Sequence, residues 1–194
     1  MVLKLRFLVP ALVLLASWWG AMGALAQGSE VPVSVQAELL AKVAAYDRNL
    51  GGRAGDQVRT LIVFKPHVPE SVRTAERFKD AFASQGPVAG LPHVEEATAW
   101  EGPAAFAETC KARRAAIVYL SAGFTDEELV ALAQALDGHD LLTASGTAGA
   151  AQHGVVLGFD LVSGKPKLVI HLPRASRQHV SLSAAVLQLM TVLP

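Results

Sequence analysis

Leu141-Leu142-Thr143-Ala144-Ser145, followed by Gly146-Thr147-Ala148-Gly149, reads as a short apolar strand running into a loop of small residues. A hairpin comes next: Val155 to Val162, a Ser163-Gly164 turn, then Lys167 to Leu172. Pro166 cannot donate to a sheet ladder, so the hairpin is expected at one edge. From about Arg174 the pattern predicts one long amphipathic helix that closes the chain. Leu182, Val186, Leu189, Met190 and Leu193 form its apolar side, with Arg177, Ser181, Gln188 and Thr191 opposite.

Upstream, strand and helix patterns alternate. Leu39, Leu40, Val43 and Ala44 recur at helical spacing, with Ser34 as the expected N-cap and Gly51-Gly52 as the expected stop. Arg59 to Phe64 is a compact apolar run typical of a strand covered on both faces, broken by Lys65-Pro66-His67-Val68-Pro69. A helix from near Ser71 carries Val72, Ala75, Phe78 and Phe82 on one face. A weaker strand is expected around His93 to Thr98, a helix opening at Gly102-Pro103, and a buried strand over Ala115 to Leu120. Thr125 and Glu128 have the spacing of a capping box, with Phe124 and Leu129 placed as its hydrophobic staple. Strands separated by such helices require crossover connections. The expected fold is therefore α/β: a single-domain three-layer sandwich with a mostly parallel sheet, an antiparallel C-terminal hairpin and a closing helix.

The first 26 residues stand apart. Lys4 and Arg6 precede an apolar run from Phe7 to Leu25, and Ala24-Leu25-Ala26 has the small-x-small form of a signal-peptidase site. The chain is expected to be exported to the periplasm and cleaved after Ala26, leaving 27–194 as one domain. No cysteine lies near that site, so a lipid anchor is not expected. The chain carries 17 basic and 17 acidic residues, and two of the basic ones fall in the leader. No basic stripe is present, which removes the electrostatic basis for nucleic-acid binding. Cys110 is the single cysteine and cannot form an internal disulfide; it reads as a buried small hydrophobe.

Little else carries chemistry. In a parallel sheet, ligands sit at the carboxyl ends of the strands. Ser145, Gly146, Thr147 and Gly149 end one strand, and Ser121 and Gly123 end another. Together with Lys65-Pro66-His67 they could form a shallow binding rim. The loop lacks the lysine of a phosphate-binding loop and the three-glycine spacing of a dinucleotide site. Ser145 is outside any Gly-x-Ser-x-Gly elbow. His67, His93, His139, His153, His171 and His179 show no metal-ligand spacing. Asp126-Glu127-Glu128 suits a helix N-terminus, and Asp137-Gly138-His139-Asp140 suits a helix-ending turn. No catalytic residue, metal or cofactor is expected.

The C-terminal third resembles the YfiR/HmsC-like family of periplasmic proteins. The likeness is carried by Leu141 to Ser145, the glycine after His153 that leads into Val155-Val156-Leu157-Gly158-Phe159, the Ser163-Gly164-Lys165 turn, Lys167 to Leu172, and Val180 to Leu189; Gln36 to Asn49 corresponds to the family's opening helix. Members commonly carry Trp-Pro where this chain has Asn49-Leu50-Gly51-Gly52, and asparagine where it has His171. The disulfides of some members cannot form with Cys110 alone.

The resemblance implies a non-catalytic periplasmic regulator that restrains a membrane-bound partner, such as a diguanylate cyclase acting in cyclic-di-GMP signalling or a sensor kinase. A homodimer is left open. The rival expectation is a small-solute-binding protein resembling one lobe of a periplasmic receptor. An exported hydrolase would need converging serine or cysteine and histidine groups, and the sequence assembles none.

Overall fold

The structure is a computed structural model that describes residues 30–194, so the expected leader and its cleavage site lie outside the described residues. In chain order the elements are α1 (Val33–Ala45), α2 (Leu50–Ala54), β1 (Val58–Phe64), α3 (Pro69–Ala83), β2 (His93–Ala99), α4 (Pro103–Ala112), β3 (Ile117–Leu120) and α5 (Asp126–Ala135). They continue with β4 (Leu142–Ser145), α6 (Ala148–Gln152), β5 (Leu157–Val162), β6 (Lys165–His171), α7 (Leu172–Arg177), α8 (Ala184–Leu187) and β7 (Thr191–Leu193). One seven-stranded sheet runs β2-β1-β3-β4-β5-β6-β7. Strands β1 to β5 pair in parallel, and β5 and β6 form the antiparallel hairpin. The protein is α/β, as its strand–helix alternation requires.

Period-two alternation sets the layers. Val58 and Ile62 of β1, Ile117 and Tyr119 of β3, and Leu142 and Ala144 of β4 pack with Leu40 and Val43 of α1 and Phe78 and Phe82 of α3. The intervening Leu61, Val63, Val118 and Leu120 pack instead with Phe106 and Cys110 of α4 and Leu129 and Leu132 of α5. A one-residue slip in any central strand would exchange these two sets, so the register is strongly fixed. Among the described residues no helix is long and apolar enough to cross a membrane.

The capping box is present. Thr125 N donates to Glu128 Oε2 at 2.8 Å, and Glu128 N donates to Thr125 Oγ1 at 3.3 Å. Thr125→Ala removes the side-chain acceptor and is expected to lower stability by about 1 kcal/mol, the usual cost of an N-cap. A fall in the urea midpoint at constant m-value is the check.

Three expectations near the ends of the chain are corrected. First, α1 stops at Ala45, before Gly51-Gly52, and those glycines lie inside the separate helix α2. Its N-cap is Pro32 rather than Ser34, which sits within the helix. The cause of the early stop is Asp47, whose buried carboxylate gathers partners that a continuing helix would not bring to it. Oδ1 accepts from Asn49 N at 3.1 Å and from Ser181 N at 2.8 Å, and Oδ2 accepts from Arg53.

Second, the single closing helix does not form. The segment breaks into α7, α8 and the terminal strand β7. His179 takes a left-handed backbone (φ 51°), Ser181 is tied to Asp47, and Arg48 N donates to Ser181 O at 3.0 Å. Leu189, expected inside, is 71% exposed, whereas Met190 is buried.

Third, the hairpin is not at the edge, because β7 adds beyond β6 in parallel. The pairing reaches only Val169 to His171. Pro166 therefore lies in the half of β6 that β7 does not cover, where its missing N–H leaves no ladder bond unmade.

Candidate functional site

Helices α1, α3 and α5 each begin at the carboxyl end of the parallel strands, and there the chain forms a cleft of about 680 Å³. Its floor is Tyr119, Ser121, Ser145, Gly146 and Thr147 from the ends of β3 and β4, and its walls are the start of α1 and the outer face of α3. The sheet order reverses between β1 and β3, the arrangement in which open α/β folds leave a crevice.

The floor is held by a short polar relay. Tyr119 Oη donates to Gln36 Oε1 at 2.6 Å, and Gln36 Nε2 donates to Val31 O at 2.7 Å. Both side chains are buried, so each bond satisfies a group that would otherwise be costly to desolvate. Burial, with a smaller contribution from Glu30, pushes the Tyr119 phenol well above its ordinary value, so it stays a neutral donor. Phe78 lies flat beneath it, with ring centroids 3.5 Å apart and planes 8° from parallel.

Close approach dictates two glycines in this region. A Cβ on Gly146 would come within 3.0 Å of Gln36 Oε1 and 3.2 Å of Tyr119 Oη, and one on Gly158 within 2.6 Å of Thr147 O. The loop after β4 can sit on the floor only because both positions lack a side chain. Ser121 Oγ shares a 2.6 Å hydrogen bond with Ser71 Oγ, which also accepts from Lys65 N at 2.9 Å. This pair joins the end of β3 to the first turn of α3.

Of the residues read from sequence as the rim, Ser121, Ser145, Gly146 and Thr147 line the cleft, and Gly123 and Gly149 do not. Gly123 O accepts from Lys65 Nζ at 3.2 Å, and that ammonium also reaches Glu128 at 2.8 Å, away from the cleft. Lys65-Pro66-His67 is therefore not part of the cleft wall. Sequence reasoning missed the other wall: Gln36 on α1 and Glu70, Thr74, Arg77 and Asp80 on α3. A buried glutamine within a helical apolar pattern was the one available signal. The α3 residues look like any solvated helix face.

Among the described residues the lining contains no histidine, cysteine or lysine. Its hydroxyls, one amide and a mixed-charge rim are suited to hydrogen-bonding a small polar solute. Hydrogen bonding from Arg73, reinforced by its charge, holds the rim carboxylate Glu70 below its ordinary value. The histidines are dispersed. His93 bonds Glu95, His153 Nδ1 lies 2.9 Å from Gly149 O, and His171 Nδ1 accepts from Arg174 N at 3.0 Å as the N-cap of α7. Burial, the largest cause, lowers the His171 pKa and favours the neutral ring that this acceptor role requires. Among the described residues no group of three or more His, Cys, Asp or Glu side chains could hold a metal ion.

Cys110 is buried among Phe106, Leu136 and Leu141, and burial raises its thiol to about 12. At pH 8 the native thiolate fraction is then on the order of 10⁻⁴. Labelling by a maleimide or aromatic disulfide should proceed only through unfolding, and so be much slower in buffer than in denaturant. Equal rates in both would overturn this account.

A second concavity of about 500 Å³ lies between α7 and the 179–187 segment, lined by Asn49, Leu172, His179, Leu182 and Leu187 among others.

The YfiR/HmsC-like family model matches residues 98–191, from the end of β2 to the start of β7. The correspondence proposed for Gln36 to Asn49 falls outside that span. No curated protein matches the chain.

Among solved structures, the ABC domain in complex with L-Trp from Streptococcus pneumonia is 12% identical with a TM-score of 0.53, over 77% of this chain and 62% of that one. A conserved domain protein from Vibrio cholerae o1 biovar eltor is 18% identical with a TM-score of 0.51, over 83% and 60%. The chain thus spans about three fifths of the length of these structures, and at such identities the likeness is one of fold. The strands and loops that carried the resemblance in the C-terminal part of the sequence are those the family model covers, so residues 98–191 are similar to the YfiR/HmsC-like family.

Proposed function

We propose that the chain is a non-catalytic regulatory protein of the periplasm. In this reading it restrains a membrane-bound partner, a diguanylate cyclase or sensor kinase, by binding that partner's periplasmic part. The observation that carries the proposal is the family match over residues 98–191, since members of this family act as regulators of cyclic-di-GMP signalling. The cleft offers hydroxyl, amide and charged groups with which a small effector could form hydrogen bonds.

The test is genetic and biochemical together. Deleting the gene should raise cellular cyclic-di-GMP and biofilm, and restoring the full chain should reverse both. The mature protein in the periplasmic fraction should begin at Gln27. Unchanged cyclic-di-GMP after deletion, in cells shown to express the protein, would remove the cyclase reading. Retention of the chain in the cytoplasm would remove the periplasmic one.

A second reading rests on the cleft itself. The Tyr119–Gln36 floor at the strand ends would suit a small polar solute, which would then bias the regulatory equilibrium by binding one state better. A screen of polar metabolites against the full chain should find one that raises the melting temperature in a concentration-dependent way. The effect should disappear in Gly146→Val, which fills the floor.

A further inference from the structure

At the opposite, amino-terminal end of the sheet, Arg53 of α2 has a side chain only 1% exposed. A guanidinium carries five N–H donors and no acceptor, so a buried one needs several partners. Nη2 is paired with Asp47, but Nε and Nη1 are buried and have no hydrogen-bond partner among the described residues. Asp47 Oδ1 is turned away from them and accepts from Asn49 N and Ser181 N. Asp140 Oδ1 lies 3.8 Å from Nε, beyond hydrogen-bond reach and on a side chain 52% exposed.

Arg53 borders a cavity of about 210 Å³ whose wall also holds Lys111, Arg114 and His139, with Asp140 as its one carboxylate. Besides the Arg53–Asp47 pair, two further basic side chains line one small space against a single half-exposed carboxylate. A cation at the end of α4 is ordinary, because it complements the helix dipole, and that alone explains Lys111. It explains neither the buried donors of Arg53 nor the turning of Arg114 to the same wall.

We propose that this cavity is a binding site for a small phosphoryl-type oxyanion, with Arg53 as the buried anchor, Lys111 and Arg114 as rim contacts, and Asp140 as the internal competitor that the ligand displaces. Planar guanidinium donors match the oxygens of such an ion, and charge-assisted bonds are the stronger class. Burial pushes the Arg53 guanidinium below its ordinary value, with Asp140 offsetting part of the effect. The site would report through Asp47, since the carboxylate that holds Arg53 also holds Ser181 of the C-terminal segment.

The experiment is isothermal titration calorimetry of the full mature chain at constant ionic strength, with inorganic phosphate and, separately, glycerol 3-phosphate. Saturable one-to-one binding is expected. Lys111→Ala/Arg114→Ala changes only exposed side chains and should leave the ligand-free melting temperature unchanged, while weakening binding by about tenfold or more. Asp140→Asn should tighten binding, because it removes the competitor. Binding of phosphate alone would identify the free ion as the ligand, and binding of both a phosphomonoester. Absence of saturable heat with either, equal affinity in the double variant, or weaker binding in Asp140→Asn would each overturn the proposal.

Discussion

Asp47→Ala is expected to lower the unfolding free energy by about 3–5 kcal/mol, the cost typical of breaking a buried ion pair from one side. Three donors converge on this carboxylate: Arg53, Asn49 N at 3.1 Å and Ser181 N at 2.8 Å. Its side chain is fully buried and that of Arg53 nearly so, which means solvent cannot take over the charge when the partner goes. Asp47→Asn keeps an oxygen for the two amides but not the negative charge, so its loss should be smaller. Replacing both residues together, as Asp47→Ala/Arg53→Met, should recover part of the loss, because no uncompensated cation then remains. Urea unfolding followed by far-UV circular dichroism gives all three values. A loss below about 1 kcal/mol for Asp47→Ala would mean that the pair behaves like an exposed one, and the account of the α1–α2 turn would be wrong.

The same carboxylate marks the boundary of what could be read from sequence. Features written in local spacing were legible: the capping box at Thr125 and Glu128, the double-sided apolar runs at β1 and β3, and the hairpin around Ser163-Gly164. Each depends on residues within a few positions of one another. The bond from Ser181 N to Asp47 spans 134 positions, and no periodicity encodes it. That tie overrides the helical pattern of the closing segment, and it ends α1 before the glycines that looked like its stop. The terminal Thr191-Val192-Leu193 then joins the sheet, where β-branched residues fit well.

The cleft divided along the same line. Its strand-end half was found from topology, since the loops after β3 and β4 follow apolar runs. The half on α1 and α3 was missed because Glu70, Thr74, Arg77 and Asp80 differ in no way from an ordinary wet helix face. His171 shows how a departure from the family pattern can keep its physics. Asparagine, usual there, is among the preferred N-caps, and the neutral imidazole fills that role by accepting from Arg174 N at 3.0 Å.

Phe78→Ala is the second substitution with a large expected effect, about 3–5 kcal/mol, as for truncation of a fully buried phenylalanine. The ring lies between Phe82, at a centroid distance of 5.6 Å, and Tyr119, at 3.5 Å, so the cavity opens directly under the cleft floor. Tyr119 is positioned from both ends, by Phe78 beneath the ring and by Gln36 at the hydroxyl. Removing the first leaves the second to hold a phenol whose packing has gone, and the floor should loosen with the core. Two readouts separate these consequences. The urea midpoint reports the lost burial. The near-UV circular dichroism of the native protein reports the tyrosine environment, and it should weaken even where the variant is fully folded. Phe78→Leu, which refills most of the volume without the flat face, should recover much of the stability but little of that signal. A variant with native near-UV signal and a loss under about 1 kcal/mol would show that the cavity collapses without cost. The floor would then be held by the Gln36 relay alone, and the stacked pair could not be what fixes the cleft's shape.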